Sequence, residues 1–255
     1  MIGWGLGLAI VLLGLAYWLF IIAEGTYLGA KFVAWTYDLV ARRYDRIKGF
    51  VFRDESWFVA GPLLYALDGV ESPMLLDVAT GTGRVPSTLL RLAFDGHIVG
   101  LDLSKGMLDR ARAKLDPYGE QVSLVRQDAS RLPFASDSFD AVTCLESLEF
   151  MPNPLAALAE MVRVLAPEGV LMLTNRVGWE SRLLPGRTLS RPQFEQKLAS
   201  LSLEEIDVRR WQVQYDLALA RKKGCVWPES FHLGREGVEP EQGDPRLTQV
   251  QESGV

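Results

Sequence analysis

Three aspartates occupy matching places in three apolar runs. Residues 75–86 read LLDVATGTGRVP, residues 97–104 read HIVGLDLS, and residues 122–129 read VSLVRQDA. Asp77, Asp102 and Asp128 stand at or near the ends of these runs, and a turn with Ala79, Thr80, Gly81 and Gly83 follows the first. Carboxylates accept hydrogen bonds and favour cationic partners, while glycines allow positive φ and let a ligand approach the backbone. The pattern is that of a ligand-binding edge. Other chemistries find little support. His97 and His232 are the only histidines and share no metal-ligand spacing, and Cys144 and Cys225 form no close pair. A Ser-His-Asp arrangement, a disulfide framework and a structural zinc are not expected, and no metal is assigned.

Which ligand suits such an edge? A dinucleotide fingerprint needs a third glycine where Pro86 stands, and a pyrophosphate would be repelled by Asp77. A phosphate-binding P-loop would need Gly-Lys-Ser/Thr, which does not follow the turn. Asp77 instead suits a ligand bearing an ammonium group. Asp102 is placed to accept from both hydroxyls of a ribose, and Asp128 from the amino group of an adenine. Asp140, in SFDAV, is read as a structural residue.

The elements that must position these residues alternate. The apolar runs MLLDV, HIVGLDL, VSLVRQ, FDAVTCL and GVLMLTN read as strands, with helix-compatible stretches over 84–94, 106–115 and 154–165. Such alternation predicts a parallel sheet covered by helices on both faces. Ser190, Pro192 and Gln193 mark a further helix start, running to about residue 200. Residues 205–221 read as two consecutive strands, which pair antiparallel and reverse one strand of the sheet. The expectation is an α/β fold with a seven-stranded, doubly wound sheet and one antiparallel strand. Residues 25–70 form a helical linker and cap, 71–222 the sheet domain, and 223–255, poor in apolar residues, a disordered tail.

These motifs together resemble the class I S-adenosylmethionine-dependent methyltransferases of the small-molecule and quinone-biosynthesis type. The matching stretches are DVATGTG (77–83), GLDLSKGML (100–108), QDASRLPFASDSFDAV (127–142) and RVLAPEGVLMLTNR (163–176), within residues 35–222. The resemblance implies S-adenosylmethionine as cofactor. Asp77, Ala79, Thr80, Gly81 and Gly83 would hold its methionine portion and Asp102 its ribose. Leu103 and Met107 would flank the adenine, Asp128 and Ala129 would meet its amino edge, and Leu145 would complete the set. YDLVARRYDRI (37–47) resembles the cofactor-capping helix of the menaquinone and ubiquinone methyltransferases, with Tyr44 as the cap. TCLESLEFMPNP (143–154) resembles an acidic segment of the ubiquinone O-methyltransferases, with Phe150 where those carry a histidine. Glu146 is the candidate base or substrate contact. Trp179, Arg182 and Arg187 fall in the loop that would cover the acceptor.

Residues 2–23 contain no charged side chain, and about 20 helical residues span a hydrocarbon core. The expectation is therefore a transmembrane anchor over residues 1–24. Lys31, Arg42, Arg43, Arg46 and Lys48 follow it, which would leave the catalytic domain cytoplasmic in a single-pass membrane protein. The net charge of -5 speaks against nucleic acid as a partner. The leading expectation is a membrane-anchored methyltransferase acting on a small, lipophilic acceptor such as a quinone precursor or lipid. Its alternative is a non-catalytic, membrane-anchored binding or scaffold protein on the same fold.

Overall fold

A computed structural model describes residues 2–49 and 52–224. Seven strands form its centre: β1 (Met74–Val78), β2 (His97–Asp102), β3 (Val122–Arg126), β4 (Phe139–Cys144), β5 (Leu165–Arg176), β6 (Leu203–Trp211) and β7 (Tyr215–Lys222). They lie in the order β3-β2-β1-β4-β5-β7-β6. The first five are mutually parallel, and β7 runs antiparallel to both β5 and β6. The reversed strand follows from the short link between β6 and β7, which leaves no room for a crossover helix.

Alternate side chains of the central strands feed two cores. Leu76, Val78, Leu101 and Val142 face the helices Pro154–Val164 and Arg191–Ala199. Leu75, Ile98, Ala141 and Met172 face the helices Gly61–Ala66, Arg84–Arg91 and Lys105–Leu115. A strand buried on both faces needs a continuous apolar run, which is why β1, β2 and β4 were legible. β5 begins at Leu165, earlier than its apolar stretch indicates, because Phe139 of β4 pairs with Leu165 ahead of a register shift.

In chain order the helices are α1 (Ile2–Tyr17), α2 (Ala30–Val40), α3 (Tyr44–Lys48), α4 (Phe52–Glu55), α5 (Gly61–Ala66), α6 (Arg84–Arg91), α7 (Lys105–Leu115), α8 (Pro154–Val164) and α9 (Arg191–Ala199). Ser190 and Gln193 form a capping box at the start of α9. The helical cap lies over the carboxyl edge of the sheet. Asp38 of α2 accepts from Ser104 Oγ at 2.5 Å and from the Gly106 amide at 2.7 Å, and Asp45 of α3 accepts from Thr82 Oγ1 at 2.5 Å.

The transmembrane anchor is corrected. Among the described residues no helix is long and apolar enough to cross a membrane. At 1.5 Å per residue α1 extends about 24 Å, short of a hydrocarbon core of roughly 30 Å. A wider turn over Trp18–Ile22 follows, and the chain then bends through Glu24 (φ 49) and Gly25 (φ 73). The end of the apolar run is used in tertiary packing. Ala23 is fully buried, Trp18 Nε1 donates to Leu183 O at 2.9 Å, and Thr26 Oγ1 donates to Phe150 O at 3.1 Å. Single-pass membrane placement, with a cytoplasmic catalytic domain inferred from the flanking charges, therefore loses its premise. Beyond Gly224 the expected disordered tail lies outside the described residues.

Candidate active site

Asp77 is 2% exposed at the end of β1, in register with Gly100 of β2 and Thr143 of β4. Thr143 Oγ1 donates to its Oδ1 at 2.6 Å, whereas Oδ2 has no hydrogen-bond partner. Burial pushes the carboxyl up to about 6, against the pull of the Thr143 and Thr80 hydroxyls. The turn after it takes positive φ at Ala79, Gly81 and Gly83. Thr80 Oγ1 is also buried without a partner. Gly100 makes room for it: a Cβ there would lie 3.1 Å from the Thr80 side chain.

Asp102 ends β2 and organises two backbones. Its Oδ2 accepts the Gly81 amide at 2.8 Å and its Oδ1 the Ser104 amide at 2.9 Å. A carboxylate has further lone pairs, so ribose hydroxyls can still be accepted. Asp128, just past β3, accepts the Ser130 amide at 2.8 Å.

Three adjoining cavities open at this edge. The first, of about 120 Å³, is lined by Tyr44, Ala79, Gly81, Asp102, Leu103, Met107, Asp128, Ala129, Leu145 and Glu146. A small pocket of about 30 Å³ holds Asp77 and Thr80 and shares Tyr44, Ala79, Gly81, Leu145 and Glu146 with the first. Of the expected site residues only Gly83 lines neither. It is the residue before α6, where a Cβ would come 2.8 Å from Leu115 Cδ1. The third cavity, of about 520 Å³, is walled by charge and includes Glu24, Lys48, Glu55, Glu146, Arg176 and Tyr215.

Glu146 lines all three cavities. Its backbone is left-handed (φ 53), and its carboxylate is clamped by Arg84 at 2.8 Å, Lys48 at 3.1 Å and Gln212 at 3.3 Å. Burial opposes its ionisation, but Arg84 and Lys48 outweigh that and hold it below the ordinary carboxyl range. This geometry makes Glu146 a fixed charge where the cavities adjoin and a weak base. Arg187 does not face an acceptor either. It binds Met151 O, Pro152 O and Thr26 O and lies over the Tyr27 ring, fastening the N-terminal segment to the site.

Sequence reasoning missed Glu24, Tyr37, Lys48, Glu55, Arg176 and Tyr215. They come from six separate segments, and nothing local marks them as neighbours. Arg84 was closer to view, directly after the glycine turn.

The donor set fits an adenosyl cofactor with an amino-acid end. Two buried acceptors lining the same small pocket, Asp77 Oδ2 and Thr80 Oγ1, suit an ammonium group. Next to them lies an apolar slot with Leu101, Leu103 and Met107 on its wall and carboxylates at its rim.

Comparison with known proteins gives the class: residues 76–173 match the sequence model of a methyltransferase domain. This stretch is similar to such a domain, and S-adenosylmethionine is the cofactor of that class. Among relatives, a demethylmenaquinone methyltransferase of Clavibacter sepedonicus is 37% identical over 139 residues, covering 54% of this chain and 55% of that protein. The ubiquinone/menaquinone biosynthesis C-methyltransferase UbiE of Roseobacter denitrificans is 42% identical over 101 residues, covering 39% of this chain and 40% of its own length. The chain thus spans about half the length of the curated relatives it matches. Two solved structures share the fold. The [4+2]-cyclase SpnF has a TM-score of 0.62 at 21% identity, covering 77% of this chain and 97% of that one. A SAM-dependent methyltransferase from Aquifex aeolicus has a TM-score of 0.53 at 19% identity, covering 66% and 91%.

Proposed function

We propose that the protein moves a methyl group from S-adenosylmethionine to a small, lipophilic acceptor of the quinone-precursor class. The observation that carries this reading is the convergence of Asp77, Asp102 and Asp128, at the ends of three adjacent strands, on adjoining cavities. The names of the relatives support the acceptor class.

When bound, S-adenosylmethionine supplies a methyl group on a positively charged sulfur, so the protein's task is alignment and exclusion of water. Asp77 and Thr80 hold the ammonium end, Asp102 the ribose, and Asp128 the adenine edge. Tyr44 closes the cavity from the cap. The Arg84–Glu146–Lys48 clamp fixes a side chain that lines both the cofactor and the acceptor cavities, so that the acceptor meets the methyl group from a fixed direction.

Calorimetric titration of the full chain with S-adenosylmethionine tests the cofactor half. Incubation with methyl-labelled cofactor and a hydroxylated naphthalene acceptor, read by mass spectrometry, tests the transfer. Absence of cofactor binding would sink the reading. Binding without labelled product from any quinone precursor would favour the non-catalytic alternative, a step the fold alone cannot decide because a [4+2]-cyclase shares it.

A further inference from the structure

The largest cavity at the site has a wall that the cofactor does not need. Glu24 lies there with Lys48, Glu146, Arg176, Arg210 and Tyr215. It reaches that place because the N-terminal segment folds back over the sheet edge instead of continuing as a helix. Its backbone is held at φ 49, a conformation few non-glycine residues adopt, and such outliers concentrate at functional sites.

The carboxylates of this cavity are not equivalent. Glu146 is locked by Arg84 and Lys48, and Glu55 lies 3.5 Å from Arg84. Glu24, by contrast, makes one hydrogen bond among the described residues: Tyr37 Oη donates to its Oε2 at 2.5 Å. The charged and titratable groups facing it are Tyr37 of α2, Tyr44 and Lys48 of α3, Arg176 of β5, and Glu146 and Glu149 after β4. Burial lifts its pKa above the ordinary carboxyl range, although Tyr37, Lys48 and Arg176 pull the other way. A carboxylate that lines the cavity, has acceptor capacity beyond its one hydrogen bond from Tyr37 and is more basic than usual is what proton removal needs.

We propose that this cavity is the acceptor compartment and that Glu24 takes the proton from a weakly acidic ring hydroxyl of the acceptor. The proposal rests on the methyl-transfer reading and deepens it. In the step the acceptor's O–H bond breaks, its electron pair stays on the acceptor, and the proton passes to Glu24, which becomes neutral. Lys48, Arg176 and Arg210 line the same cavity while bonded to Glu146, Glu180 and the Gln212 and Val213 carbonyls, and lend it positive potential for the resulting anion.

The first measurement requires no substitution. The full-length protein is titrated with 4-nitrophenol and with 4-nitroanisole, which has the same ring and no proton to lose. The phenol should bind at least tenfold more tightly, with the absorbance of its phenolate; equal binding and an un-ionised spectrum would overturn the proposal. The second compares wild type with Glu24→Gln at saturating cofactor and a hydroxylated naphthalene acceptor. The wild-type rate should rise with pH as Glu24 ionises. The Gln variant should lose about 10²–10⁴-fold near neutrality and recover towards wild type at high pH, where the acceptor ionises by itself. A deficit equal at every pH would mean a structural role and would sink the assignment. Cofactor affinity, measured alongside, should stay within about threefold of wild type. If wild type bound no cofactor at all, the methyl-transfer reading would fail instead, independently of Glu24.

Discussion

Gly81 donates its amide hydrogen to Asp102 Oδ2 over 2.8 Å, tying the turn after β1 to the end of β2. One carboxylate thus shapes the cavity and offers lone pairs into it. Asp102→Ala should weaken S-adenosylmethionine binding by about 1–3 kcal/mol and also lower stability, because the Gly81 and Ser104 amides lose their acceptor. Asp102→Asn should recover part of the stability and less of the affinity. Titration calorimetry with thermal melts reads both; unchanged affinity in the Ala variant would refute the ribose assignment.

Asp77 gives a pH dependence of known sign. Its folded pKa of about 6 lies above the ordinary aspartate value, so the folded state binds the extra proton between the two. The stability contributed by the neutral form is complete below the unfolded value and is lost as pH rises through 6. At pH 8 Asp77→Asn should stabilise the cofactor-free protein by about 1–3 kcal/mol. The same change should weaken cofactor binding, because an ammonium group favours the ionised acid. In wild type, affinity should fall as pH drops below 6, with proton release on binding near pH 6. Melts and calorimetry in buffers of different ionisation enthalpy test this, and a flat affinity profile from pH 5 to 8 would count against it.

The two turn glycines have different jobs and should fail differently. Both have left-handed backbones, but a Cβ on Gly81 meets nothing within 4 Å, while one on Gly83 would lie 2.8 Å from Leu115 Cδ1. Gly81→Ala should cost roughly 1–2 kcal/mol of stability from backbone strain, and its methyl should impair cofactor binding. Gly83→Ala should add about 1–3 kcal/mol of overpacking to a similar strain, with affinity near wild type in whatever remains folded. The reverse pattern would place Gly83 in the cavity and Gly81 in the packing.

How much of this was legible? The ends of β1 and β2 were, because strands buried on both faces write themselves as apolar runs and Asp77 and Asp102 interrupt them; β3, a half-exposed edge strand, was legible from its short apolar run with Asp128 just beyond it. The reversed β7 was, because it follows β6 after a short link. The N-terminal segment was not. A charge-free run reports how readily residues leave water, and is silent on whether lipid or protein receives them. The buried Ala23 and the Trp18 bond to Leu183 exist only once the loop after β5 is in place. Glu24 was hidden for the same reason, since Tyr37, Lys48 and Arg176 reach it from three different elements.

Arg187 offers a test of that folded-back segment. Its guanidinium binds Met151 O, Pro152 O at 2.6 Å and Thr26 O at 3.4 Å, and lies 5.1 Å from the Tyr27 ring centre. Met151 and Pro152 line the cofactor cavity, so the same side chain that fastens residues 26 and 27 also shapes the cavity roof. Arg187→Ala should remove the donor shared by the Met151 and Pro152 carbonyls and cost about 1–3 kcal/mol. Arg187→Lys should do little better, because a single ammonium cannot reproduce a planar fork spread over three carbonyls. Limited proteolysis should then cut sooner between residues 18 and 30, and S-adenosylmethionine should protect that stretch, since Ala30, Val33 and Tyr37 share the cavity. If the Ala variant is cleaved at the wild-type rate and binds the cofactor equally well, the latch has no part in closing the site.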